Sequence, residues 1–374
     1  MFCMGGKMRG NASWGTTRCV RAVLSAAVAV CAVTAVLPAA AAGADSDGGA
    51  GVERISVAAD GTQADGDSAD ASVTPDGRRI VFSSSATNVA SGNSGGTKKV
   101  FVRDQRTGQT KLMSSISTPI QSPVISSDGQ YAAHWGQLFR DTKIFLSQAG
   151  TGSTIGINCS GLSCSQPSLS ADGRYIAYVA TFNRPASRQS VEVIDWRADT
   201  KAIVAEFEHT LPARPSISGD GEYVAYQDGE AQDVWLWNRA DGTTSDPIEG
   251  PSVAATLVQL SEDGSKVVYL SGSDTHVYDV SSGTDQLVPN VRGVAIDPTG
   301  HYLLYAPSGA SGPSSLTLRD LRTGTDEVVS NQPATAGTGA VSAGGRDVVF
   351  QSTADDIVPG DTNGKSDVFV RRFY

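Results

Sequence analysis

The sequence predicts an all-β protein: a seven-bladed β-propeller of four-stranded antiparallel blades, closed by its N-terminal strand completing the last blade. Three observations predict it, namely a recurring turn phrase, the period of that phrase, and an unmatched strand at each end of the array. The phrase is an apolar residue, Ser or Thr, any residue, then Asp-Gly, then an apolar strand that carries an aromatic. Intact copies end at Gly77, Gly129, Gly173, Gly221 and Gly264, and two degenerate copies end at Gly300 and Gly345. Successive turn glycines are 52, 44, 48, 43, 36 and 45 residues apart, the length of one four-stranded blade.

Each position has a physical reason. Asp-Gly between short apolar runs is a hairpin turn, in which Gly supplies positive φ and Asp bonds the local backbone. The residue before the Ser is apolar in all seven copies, as an inner strand packed between blades requires. Five residues after the glycine stand Phe82, His134, Tyr178, Tyr226, Tyr269, Tyr305 and Phe350, alternating with small or aliphatic neighbours at strand period. Third strands follow, such as Val100–Asp104, Val191–Asp195 and Leu316–Asp320, and Thr-Gly or Ser-Gly turns lead into a fourth. The last copy stops after its third strand, at Val368–Tyr374, while an orphan strand over Val52–Ala58 precedes the first copy. Pairing the two closes the ring and protects its sheet edges.

The first residues read as an export signal. Lys7, Arg9, Arg18 and Arg21 precede a mostly apolar run from Ala22 to Leu37, and Ala42-Gly43-Ala44 offers small residues for cleavage. That run is short for a membrane span. The expected organisation is a signal peptide over 1–44, a flexible linker over 45–51 and the propeller over 52–374, in a secreted monomer. The leader takes four basic residues and no acidic ones, moving the net charge from −10 to −14, which repels nucleic acid. Of the five cysteines only Cys159 and Cys164 follow the leader, and so close a pair in an exported chain is expected to form a disulfide.

The Ser-x-Asp-Gly-Arg-x-Ile-x-Phe/Tyr phrase, with x-Val-Phe-Val-Arg-Asp and Thr-Gly after it, resembles the WD40-like PD40 repeats of the secreted, TolB-like propeller family. The resemblance spans about residues 52–374 and implies an extracytoplasmic propeller that binds protein partners. Propellers related to that family, the oligogalacturonate lyases, hold a metal through histidines and cleave acidic polysaccharide. The four histidines here, His134, His209, His276 and His301, fall at unmatched repeat positions and do not predict a cluster.

Other candidate chemistry is sparse. Ser94 in Gly92–Gly96 matches a nucleophile-elbow pattern but sits in a Ser/Gly/Asn-rich loop between strands rather than at a strand-to-helix turn. Asp361, Asn363 and Asp367 place hard oxygens on one tight turn, suited to a structural Ca²⁺. Asp76, Asp128, Asp172, Asp220 and Asp263 recur once per blade at one turn and are structural. Trp135 and Trp196, at or just past strand ends, are candidates for contact with a ligand, whereas Trp235 and Trp237 share one strand face and are assigned to packing. With no catalytic constellation, the expectation is a non-enzymatic propeller that binds a protein or glycan ligand at a face or at the channel mouth. The alternative is an enzyme acting on polysaccharide, lyase or hydrolase, with its site in the channel.

Overall fold

A computed structural model describes residues 51–373, apart from 92–96, 115–119, 184–186, 209–214, 230 and 251–252. Seven antiparallel sheets follow one another along the chain. Blade one is Ser68–Val73, Arg79–Ser84, Lys99–Asp104 and Gln109–Ser114, and blades two, three, five and six repeat that four-stranded order. Blade four keeps three strands, its fourth reduced to a bridge between Trp237 and Thr244. In blade seven the inner segment is not a regular strand and pairs with its sheet through isolated bridges at Val341–Val348 and Thr335–Gln351. Gly51–Arg54 pairs antiparallel with Asp367–Arg372, which pairs with Asp347–Ser352, so the N-terminal strand completes the last blade. It is shorter than the sequence suggests: the chain turns inward at Ile55, which is fully buried.

The turn phrase is a closed hydrogen-bonded box. In blade three the Ser170 hydroxyl donates to Asp172 Oδ1 at 2.8 Å and accepts from the Tyr175 amide at 2.9 Å. Asp172 in turn accepts from the Arg174 amide at 2.9 Å. Blades one, two, four and five repeat it, which confirms the structural role of those aspartates.

The turn glycine does more than supply positive φ. The side chain two residues beyond each turn glycine lies on the turn glycine of the following blade. A Cβ on Gly173 would stand 2.8 Å from the Tyr131 ring, one on Gly221 2.5 Å from Tyr175, and one on Gly345 2.6 Å from Tyr302. Arg79 against Gly129, Lys266 against Gly300 and, closing the circle, Asp347 against Gly77 make the same contact.

Apolar side chains are buried between blades rather than in one central core. Separate clusters lie between blades one and two, two and three, three and four, four and five, and five and six. A larger one joins six, seven and one around Ile55, Phe82, Phe350 and Phe369. Within blades, the aromatic position pairs across strands: Phe82 with Phe101 at 5.8 Å, His134 with Phe145 at 5.6 Å and Phe350 with Phe369 at 5.6 Å between ring centroids.

The glycine contact is directly testable. Gly242 has φ +70° with nothing near a Cβ, so Gly242→Ala carries left-handed strain alone, about 1 kcal/mol. Gly221→Ala at φ +73° adds overpacking against Tyr175, for a further 1–3 kcal/mol or so. Urea unfolding of the two variants measures the difference, and equal losses would refute an inter-blade role for the glycine.

Candidate functional site

The inner strands are edge strands, so the backbone facing the channel needs partners. Neighbouring blades supply them. Ser72 Oγ accepts from the Ile125 amide at 3.2 Å, Ser168 Oγ from Ile217 at 3.1 Å, and Ser216 Oγ from Leu260 at 3.0 Å. Gln259 Oε1 does the same for Ile296 at 3.2 Å. These side chains are therefore clasps between blades.

Above that ring each of the first three blades carries a bulge on its inner strand. Its first residue, seven before the turn glycine, is left-handed without being glycine: Asp70 at φ 55°, Ser122 at 46° and Gln166 at 56°. Non-glycine residues at positive φ are uncommon and mark sites where strain serves a purpose. All three line a central cavity of about 380 Å³, together with Trp135, Gln259, Gln351 and Glu262.

Asp70 is the most elaborately held of them. Its amide donates to Gln351 Oε1 of blade seven at 2.5 Å, which fixes the bulge. Its Oδ2 accepts from Ser83 Oγ at 2.9 Å and from Lys98 Nζ at 3.4 Å, and both members of the ion pair keep solvent access. Gln166 Oε1 is buried with no hydrogen-bond partner, an acceptor left free on the channel wall. Trp135 adds an aromatic face to the same wall.

The floor lies at the turn phrases. Glu262 of blade five and Ser127 of blade two, which are not neighbouring blades, both line the floor of the cavity. Burial pushes the Glu262 carboxyl above the usual carboxylate range, with Asp263 adding to the shift and Ser127 opposing it. Burial thus favours the neutral acid in the folded state. The contribution is fully present below the unfolded pKa and is lost as pH rises through the raised folded value. Glu262→Gln should flatten this decline in stability above the ordinary glutamate range, as thermal unfolding across pH would show. An unchanged profile would sink the assignment.

The remaining candidates are dispersed. Trp196 packs edge-on against Tyr131 at 5.7 Å and donates to the Gly173 carbonyl at 2.7 Å, between blades two and three and away from the channel lining. Trp237 is buried between blades three and four with Trp235 packed beside it. His134 is fully buried and its pKa is pushed down to about 4 by that burial. His276 stacks on Tyr269 at 4.9 Å with Nδ1 2.5 Å from Asp285, and His301 lies 3.1 Å from the Thr299 hydroxyl. Ser94 and His209 lie outside the described residues. Cys159 and Cys164 are bonded to each other, tying the connection after blade two to the inner strand of blade three.

The loop read as a calcium turn holds a guanidinium. Arg54 Nη2 is 2.9 Å from Asp361 and its Nε is 3.6 Å from Asp367, all three side chains being buried. Asn363 Nδ2 donates to Asp367 at 2.9 Å, and Ser56 Oγ to the other oxygen at 2.5 Å. The positive charge that the sequence sought in a metal comes from the N-terminal strand. Among the described residues no three His, Cys, Asp or Glu side chains converge as a metal site.

No family model and no curated protein matches the chain. Solved structures do. An oligogalacturonate lyase in complex with manganese aligns over 88% of this chain and 94% of its own, with TM-score 0.65 and 13% identity. A second oligogalacturonate lyase, from Vibrio parahaemolyticus, aligns over 86% and 93%, with TM-score 0.63 and 12% identity. TolB from Acinetobacter baumannii aligns over 72% and 64%, with TM-score 0.49 and 18% identity. At such identities the likeness is one of fold. It still corrects the expectation of a non-enzymatic binder: two solved structures that align over 86–88% of this chain are oligogalacturonate lyases. The absence of a catalytic phrase was the ground for that expectation, and in a ring whose site residues come from different blades such a phrase need not exist.

Proposed function

We propose that this protein is an extracytoplasmic enzyme acting on polysaccharide, with its site at the bulge level of the channel and Asp70 as the reacting carboxylate. The observation that carries it is the Asp70 constellation: a strained backbone fixed by Gln351, and a carboxylate held by Ser83 beside the Lys98 ammonium. The lyase neighbours support a reaction on an acidic glycan in this fold. The secreted state remains an expectation from the leader.

The chemistry favours elimination over hydrolysis. Glycoside hydrolases place two carboxyls across the scissile bond, roughly 5–10 Å apart. Glu262, the other acid of the cavity, lies at the floor, several strand residues below the bulges. In elimination Asp70 removes the proton α to a uronate carboxylate, the bond from the adjacent carbon to the glycosidic oxygen breaks, and that oxygen leaves as a hydroxyl on taking a proton from solvent water. Lys98, whose ammonium stands 3.4 Å from Asp70 Oδ2, would supply positive charge beside the reacting carboxylates as charge develops. Gln166 and Ser122 offer hydrogen bonds to sugar hydroxyls, and Trp135 a face for a sugar ring. The manganese of the lyase complex has no fitting donor set among the described residues, so no step is assigned to a metal.

Polygalacturonate, xylan, carboxymethyl cellulose and chitosan form a suitable substrate panel. The expected result is an ultraviolet-absorbing unsaturated product from polygalacturonate. Asp70→Asn should lower kcat/KM by about 10²–10⁴-fold with the fold intact. Reducing ends released without unsaturation would point to hydrolysis and exclude elimination, and inactivity on the whole panel would refute the proposal.

A further inference from the structure

Phe139 is 92% exposed, more than any other large apolar side chain among the described residues, and its backbone is left-handed at φ 59°. It begins the two-residue tip Phe139-Arg140 of a hairpin whose last pair is Leu138–Asp141. A tip whose first residue takes positive φ favours Gly or Asn there, since these adopt that conformation at little cost. The equivalent tip of blade five obeys the rule, with Gly272 at φ 59° after Ser271 and before Asp274. A bulky aromatic in that conformation is an outlier, and local folding preference does not account for it.

Its surroundings are prepared. Leu138 is 39% exposed and Leu162, in the loop between the bonded cysteines, is 47% exposed. Lys143 Nζ donates to the Leu162 carbonyl at 2.9 Å and the Thr142 amide to Ser163 Oγ at 3.2 Å, so the stapled loop lies alongside this hairpin. The strand Tyr131–Leu138 rises from the channel floor, carries Trp135 on the channel wall, and delivers Phe139 four residues later. At a strand rise near 3.3 Å per residue, that is about 13 Å beyond Trp135, on the face where the bulges open.

We infer that Phe139, with Leu138 and Leu162, is an outer subsite that stacks the sugar rings of a polysaccharide chain extending out of the channel. The inference rests on the polysaccharide function proposed above. Aromatic side chains offer a flat apolar face to the CH side of a sugar, and continuity with Trp135 along one strand gives the chain a path. A long substrate reaches the subsite, whereas a short oligosaccharide that fills the channel alone does not.

Phe139→Asn separates these roles, since Asn suits the left-handed tip and should leave or raise the unfolding temperature. With polygalacturonate the variant should show KM raised about tenfold, a loss typical of one aromatic stacking contact. With a galacturonate disaccharide or trisaccharide, kcat and KM should be those of the wild type. An equal change on long and short substrates, or none on either, overturns the subsite while leaving the channel function standing. Absence of turnover by the wild type on both overturns both. A wild-type dimer in sedimentation that Phe139→Asn makes monomeric would also overturn it, by assigning the patch to a second copy.

Discussion

Seven sheets can close on themselves only if every blade meets the next at the same spacing. One repeated contact sets that spacing here. The side chain two residues past each turn glycine rests on the glycine of the following blade, and at every turn but Gly264 a Tyr, Arg, Lys or Asp fills the space a Cβ would take. The hydroxyl–aspartate box holds the turn rigid, and the missing Cβ lets the neighbour approach. With spacing fixed at the floor, apolar layers fill between blades and the aromatic pairs stack within them. The same contact between Asp347 and Gly77 carries the spacing across the seam where the chain begins and ends.

That seam is also held by charge. Glu53 pairs with Arg372 at 2.6 Å, and Arg54 reaches two buried carboxylates of blade seven. A buried guanidinium between two carboxylates contributes mainly by the cost of leaving any partner alone. Removing one member typically costs about 3–5 kcal/mol, so the N-terminal strand is part of the ring rather than an appendage to it.

Closure determines what the channel can do. The clasps from Ser72, Ser168, Ser216 and Gln259 consume the polar groups one level of the inner strands would otherwise expose. Above that level the bulges bring Asp70, Ser122 and Gln166 to the cavity wall. Floor and bulge level are different environments in one cavity. Glu262 is half-buried at the floor with its carboxyl pushed above the usual range, while Asp70 is partly open and faces an ammonium.

The blades, their number, the turn boxes and the completing strand were legible in the sequence, because turn chemistry and strand alternation are local and recur with a period. The disulfide was legible because its partners lie five residues apart in the chain. The site was not. Asp70 owes its setting to Gln351, which is 281 residues away in sequence, and nothing near Asp70 in the chain announces that contact. Arg54 likewise explains Asp361 and Asp367 only once the ends of the chain meet, which is why the loop alone resembled a place for a cation. The sequence by itself determined what each blade is, since a strand and its turn are decided by residues a few positions apart. Only the tertiary structure decided which side chains share the channel, since a ring brings together residues whose separation along the chain carries no information about their distance in space.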